Sequence, residues 1–209
     1  WAAGAGAAVG GGADTASQAG AGWGAVIRDP DLLRLNIGIF VLHLLQMSLF
    51  LVVPGLLVQS AGLPLPEHWK VYLPVVGGAF VLMLPLMNRA ERQGRLRPVF
   101  LGGIWFLTVA MIGLVMLAPT LTNLIALLLV FFIGFNLLEA LLPSLISRLA
   151  PAGRRGLAMG VYNTAQALGL FCGGLLGGWL LREAGPTSIF GVGLMLLAIW
   201  WLAARGQRR

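Results

Sequence analysis

Residues 122–147 read TNLIALLLVFFIGFNLLEALLPSLIS, an apolar run with a single charge, Glu139, deep inside it. A helix that crosses a bilayer needs roughly 20 mainly apolar residues, and this run is long enough. Outward from it, comparable runs lie at about 32–59, 71–88, 98–118, 156–181 and 187–204. The sequence therefore predicts an all-α integral membrane protein with six transmembrane helices.

Composition leads to the same class. Hydrophobic residues make up 58% of the 209, charged residues 10%, and mean hydropathy is +0.89. A soluble domain carries about 25% charged residues. Six spans with short loops leave no room for a sizeable soluble domain. The net charge of +7 would suit nucleic acid only if Lys and Arg gathered on one soluble face. Here they sit between apolar runs, so no nucleic-acid partner is expected. Cys172 is alone inside an apolar run, which excludes a disulfide framework and metal-ligand spacing.

The Ala- and Gly-rich start lacks apolar periodicity, so residues 1–30 read as a flexible linker and 31–209 as the transmembrane bundle. It also lacks the basic-then-apolar order of a signal peptide. The chain opens on Trp1 rather than Met, which suggests a segment continuing from something upstream. Pro54, Pro74, Pro85 and Pro143 fall inside spans, where neighbouring helices can satisfy the freed backbone groups.

Lys and Arg near span ends set orientation. Arg28, Arg34, Arg89, Arg92, Arg95, Arg97, Arg148, Arg154, Arg155, Arg205, Arg208 and Arg209 fall at one end of the spans, and only Lys70 and Arg182 at the other. Both termini are therefore expected in the cytoplasm, with the chain multi-pass in the inner membrane and in contact with lipid throughout.

Polar groups within hydrocarbon turn toward protein or a watery cavity. The first span carries Asn36, His43 and Gln46 on one stripe, the fourth Asn136 and Glu139 one turn apart, and the fifth Asn163, Thr164 and Gln166. The third and sixth hold little beyond Thr108 and Ser188. Spans one, four and five are thus expected to line an interior, and three and six to lean on lipid. Gly169, Gly173 and Gly177 recur at spacing four, with Gly174 and Gly178 beside them, a pattern that lets helix backbones approach closely.

The loop Ala90-Glu91-Arg92-Gln93-Gly94-Arg95-Leu96-Arg97 resembles the signature Asp-Arg-x-Gly-Arg-x-Arg/Lys of the major facilitator superfamily, in the weakened copy between its helices 8 and 9. Glu91 replaces the usual Asp, and Met87 stands where the first Gly of the longer motif belongs. The stretch Gly134–Ser144, the run PAGRRGLAMGVYNTAQALG from Pro151 to Gly169, and Arg34–Phe40 resemble helices 10, 11 and 7 of the YajR-like subgroup of proton-driven exporters. The resemblance covers about residues 28–205. It implies the C-terminal six-helix half of a secondary transporter, with an N-terminal six-helix half as partner and the path between two bundles. It also implies that helices 7, 8, 10 and 11 border the cavity, and that Glu91, Arg92, Gly94, Arg95 and Arg97 form a cytoplasmic gate. The plainer reading of those arginines is a topology determinant. A stand-alone six-helix carrier or channel, working as a homo-oligomer, is the competing class.

Glu139 is the only carboxylate within any span and lies nine residues from Arg148. At about 1.5 Å per residue that is roughly 13 Å into a hydrocarbon core near 30 Å thick. An ionised carboxylate there is expensive, which makes Glu139 the principal candidate for a titrating group in proton coupling. The plain alternative is a permanently protonated acid that ties helices together. His43 reads either as a packing residue or as a proton carrier. Around these two, Asn36, Gln46, Asn136, Asn163 and Gln166 are the candidate cavity residues. His68, beside Glu67 and Trp69, reads as an interfacial anchor. With no nucleotide loop, metal cluster or nucleophile–base pair, no enzyme, metal or cofactor is expected. The expected partners are protons and a small-molecule substrate, exported as a drug would be.

Overall fold

Each apolar run forms one helix in the computed structural model, which describes residues 24–205. They are α1 (Pro30–Gln59), α2 (Trp69–Arg92), α3 (Leu96–Met116), α4 (Leu121–Leu149), α5 (Arg155–Ala184) and α6 (Pro186–Arg205), with a 3-10 turn at Leu65–Glu67 before α2. All six are long and apolar enough to cross a membrane. The expected spans hold to within a few residues. The largest extension is at the end of α2, where Arg89 and Arg92 occupy the last turn and complement its exposed carbonyls.

Helix ends follow local chemistry. Asp29 caps α1, its carboxylate accepting from the N–H groups of Asp31 at 2.9 Å and Leu32 at 3.0 Å, while Pro30 supplies a first residue that needs no N–H partner. Thr120 caps α4 through the N–H of Asn123 at 3.3 Å. Residues 1–23, most of the expected linker, lie outside the described residues. Within its last residues, 24–27 form a helical turn closed by Arg28 N–H donating to the Gly24 carbonyl at 3.1 Å. Val26, fully buried, anchors that turn to the bundle.

α1 and α4 occupy the centre. α1 packs on α4, α5 and α6; α4 packs on α1, α2, α3 and α5; α3 and α6 close the far side together. In lipid the helices gain little from hydrophobic burial, so close contact and hydrogen bonds must hold them. The closest contact is α1 on α5. A methyl group added to Gly173 would stand 2.5 Å from the Leu44 carbonyl oxygen, and one on Gly169 would meet that of Phe40. One on Gly177 would meet Leu51 Cδ1 at 3.0 Å and Ser48 Oγ at 3.1 Å, so partners advance together along both chains and the helices run parallel. Ser48 Oγ donates to the Gly173 carbonyl at 3.2 Å. Gly174 and Gly178 lie off this seam; nothing stands within 4 Å of a methyl group on Gly178.

The expected division into interior and lipid-facing helices needs one correction. α1 and α4 are more than half buried, but α5 is the most exposed of the six and α2 the next. Only the stripe Ala158, Tyr162, Gly169, Gly173, Gly177 of α5 is buried; Asn163, Thr164, Leu168, Phe171, Leu175 and Trp179 are exposed. The reason is geometric. A glycine seam is narrow, so it seals one stripe against α1 and leaves the rest of the helix uncovered.

Candidate functional site

Three helices meet at one polar cluster. His43 comes from the buried side of α1, Glu139 from α4 and Gln166 from α5, one turn before the glycine seam. The Gln166 side-chain nitrogen lies 2.8 Å from His43 Nε2 and 3.5 Å from Glu139 Oε1. His43 Nε2 and Glu139 Oε2 are 3.6 Å apart, close enough for charge attraction but too long for a hydrogen bond. On its other side, His43 Nδ1 faces the Ile39 carbonyl at 3.2 Å, and the ring edge meets Phe135 with centroids 5.6 Å apart. The histidine side chain is 5% exposed and the glutamate side chain 36%. One member is therefore sealed in protein while the other reaches open space.

Burial without pairing marks the surroundings. Among the described residues, Asn36 Oδ1, Asn136 Nδ2, Glu139 Oε2 and the Tyr162 hydroxyl are buried and lack a hydrogen-bond partner. Natural proteins leave few such atoms, and each calls for an explanation such as water, an ion or a catalytic role. Of the residues read from sequence as cavity candidates, the structure joins His43, Glu139 and Gln166 by contact. It buries Asn36, half-buries Asn136 and Gln46, and leaves Asn163 on the open face of α5. Tyr162 was not singled out from sequence. It stands four residues before Gln166 and seven before Gly169, so extending the glycine stripe backward reaches it.

The loop between α2 and α3 is built by its glycine. Arg95 N–H donates to the Ala90 carbonyl at 2.9 Å and Gly94 N–H to that of Glu91 at 3.2 Å, the paired bonds of a Schellman ending. Gly94 takes φ +63°, which only glycine adopts without penalty. Arg97 then reaches α6, Nη2 donating to the Arg205 carbonyl at 2.7 Å, and the Arg205 guanidinium lies 4.0 Å from the Trp201 ring centroid. Glu91, Arg92 and Arg95 are exposed, and Glu91 enters no ion pair among the described residues.

No group of three or more His, Cys, Asp or Glu side chains is placed to hold a metal ion among the described residues. The site's repertoire is that of a buried imidazole, a carboxyl and an amide: to hold and pass protons and to hydrogen-bond a polar guest.

Known proteins are similar to this chain in sequence. The chain is 44% identical over 179 residues to the inner membrane transport protein YajR of Escherichia coli (strain K12), a match covering 86% of this chain and 39% of that protein. It is 34% identical over 140 residues to the uncharacterized transporter BU466 of Buchnera aphidicola, covering 67% and 36%. It is 32% identical over 160 residues to the multidrug resistance protein MdtH of Aeromonas hydrophila, covering 77% and 40%. The chain thus spans about two fifths of the length of these relatives. The family model described as Major Facilitator Superfamily matches residues 35–208, which takes in all six helices but the first turn of α1, and by that match the chain belongs to the major facilitator superfamily.

Proposed function

We propose that this chain forms one six-helix half of a proton-coupled exporter of small molecules, with the His43–Glu139–Gln166 cluster as its proton site. The observation that carries the reading is the 3.6 Å approach of His43 to Glu139, the one intramembrane carboxylate, on three helices that meet at mid-depth. Glu139 lies ten residues from the end of α4 at Leu149, about 15 Å along the helix. A titratable pair at that depth marks a proton path by default. The name multidrug resistance protein, borne by relatives such as MdtH, supports export of lipophilic compounds through an apolar cavity. The second half is needed because α2 and α5 expose apolar faces, and a transport path of this kind runs between two bundles.

The arginine-rich end is read as cytoplasmic, which places both ends of the chain inside and the loop 60–68 outside. Cysteines placed at 62–68 should react with an impermeant reagent added to intact cells, and those at 92–95 should not; the reverse pattern removes the orientation. Within that orientation, the loop Glu91–Arg97 is read as a conformational gate, with Arg97 tying α3 to α6 and the free faces of Arg92 and Arg95 available to the other half.

The mechanism is tested by Glu139→Gln in the full-length transporter, which keeps the shape and hydrogen bonding of a protonated acid but cannot titrate. In proteoliposomes, accumulation driven by a pH gradient should collapse while downhill exchange continues. Retained uphill transport would reject the proton site.

A further inference from the structure

The hydrogen-bond chain through the cluster has a direction that its chemistry dictates. The Ile39 carbonyl can only accept, so the His43 Nδ1 facing it at 3.2 Å carries the proton in the neutral ring. His43 Nε2 is then a bare acceptor. The atom 2.8 Å from it must be a donor, and the Gln166 amide nitrogen is one. The second N–H of the same amide is directed at Glu139 Oε1, 3.5 Å away. One amide thus donates to two acceptors, and the one at His43 Nε2 is in its proton-free form.

From this geometry we propose that Gln166 is a positioning residue of the proton site, holding His43 as the Nδ1–H tautomer and opposing protonation of His43 Nε2 until its amide turns away. The inference rests on the proton-site reading above and deepens it. A proton on His43 Nε2 sets two donors against each other at 2.8 Å. A proton on Glu139 Oε2, which has no partner now, can reach Nε2 only by displacing the amide. Protonation of Nε2, directly or from Glu139, therefore requires the Gln166 side chain to rotate or withdraw. Gln166 stands one turn from Gly169 on the seam between α1 and α5, so its release also removes a polar tie across that seam. Proton binding is in this way coupled to the contact between α5 and the central helices.

The other ionisable groups near the cluster are few. α5 contributes Tyr162 and, further along, Cys172; α1 and α4 contribute His43 and Glu139 themselves. The middle turns of α2, α3 and α6 hold no ionisable residue, their charges lying toward the ends at Lys70, Arg89, Glu91, Arg92, Arg97 and Arg205. Among the described residues, Gln166 is the side chain that hydrogen-bonds both members of the pair.

The test reads the tautomer directly and does not depend on transport. The chain is labelled with ¹⁵N-histidine, reconstituted in lipid bilayers and observed by solid-state NMR, with the His43 signals assigned by their loss in His43→Gln. In the unsubstituted chain at alkaline pH, His43 should show a protonated Nδ1 and a hydrogen-bonded bare Nε2; an Nε2–H tautomer there overturns the proposal without any variant at Gln166. Gln166→Leu should shift the bare Nε2 signal to that of a nitrogen without a donor. Because the amide donates to the proton-free Nε2, its loss should let His43 protonate at a pH higher by about one unit, roughly tenfold in proton affinity. An unchanged signal and an unchanged protonation pH in that variant would overturn the proposal. Failure of the transport reading shows separately, as uphill accumulation surviving Glu139→Gln.

Discussion

The two faces of α5 differ more than any two helices do. One face carries Tyr162, Gln166 and the seam Gly169, Gly173, Gly177, lies on α1, and brings the side chain that, among the described residues, hydrogen-bonds both His43 and Glu139. The other carries Asn163, Thr164, Phe171, Leu175 and Trp179, all exposed, with Gly178 beside them. The same residue type does opposite work on the two sides. Gly173 is there because two backbones leave no room for a methyl group, whereas Gly178 has space for any side chain. The sealed face fixes the geometry of the proposed proton site, and the open face is the one that the proposed second bundle would cover.

That comparison breaks most sharply at Gly173. Gly173→Leu forces a side chain against the Leu44 backbone, which cannot give way as a side-chain tip would, and overpacking of this kind costs about 1–3 kcal/mol or more. The purified chain should show a clearly lowered midpoint of thermal unfolding in detergent. A midpoint equal to that of the unsubstituted chain would mean the seam is not what joins α1 to α5.

Gly178→Leu sharpens the same contrast from the other side. It meets nothing within 4 Å and replaces a poor helix former with a good one, a gain of up to about 1 kcal/mol. The isolated chain should be unchanged or slightly stabilised. In the full-length protein the same substitution should weaken association of the halves, measured by co-purification of separately expressed bundles. Unimpaired association would show that the second bundle does not approach this face.

The smallest effect is expected at Ser48→Ala, which removes one interhelical hydrogen bond, Ser48 Oγ to the Gly173 carbonyl. Such bonds average about 0.6 kcal/mol in membranes. A loss comparable to that of Gly173→Leu in the same unfolding assay would transfer the seam's strength from backbone contact to this hydroxyl.

How much of this could be read in the sequence follows from what each feature depends on. The six spans were legible because the bilayer imposes one length and one chemistry on every crossing helix, and Glu139 because a single carboxylate inside that chemistry is conspicuous. The seam at Gly169, Gly173 and Gly177 was legible as a period of four, but its partner α1 was not, since nothing in the period names the facing helix. The meeting of His43 with Glu139 and Gln166 depends on how three helices rotate about their axes, which packing decides. The open face of α5 was missed for the same reason: three polar residues suggest an interior, but not which wall of it is present. His68 was misread as an interfacial anchor. It is buried, with Nε2 3.2 Å from the Leu63 carbonyl and its ring beside Tyr72, because the 3-10 turn at Leu65–Glu67 folds the loop back over it. The arginine loop was legible as charge, whereas the Schellman ending at Gly94 and the reach of Arg97 to α6 emerge only in three dimensions.

The central claim is that Glu139 gains and loses a proton where it stands, and infrared spectroscopy reads that most directly. Difference spectra of the full-length protein in bilayers would be recorded as pH is stepped across the range of a cell's proton gradient. A titrating Glu139 should give a carboxylic C=O band that grows on acidification, reverses on return, and is missing in Glu139→Gln. A carboxyl band that never changes over that range, or a changing one that survives the substitution, would contradict it.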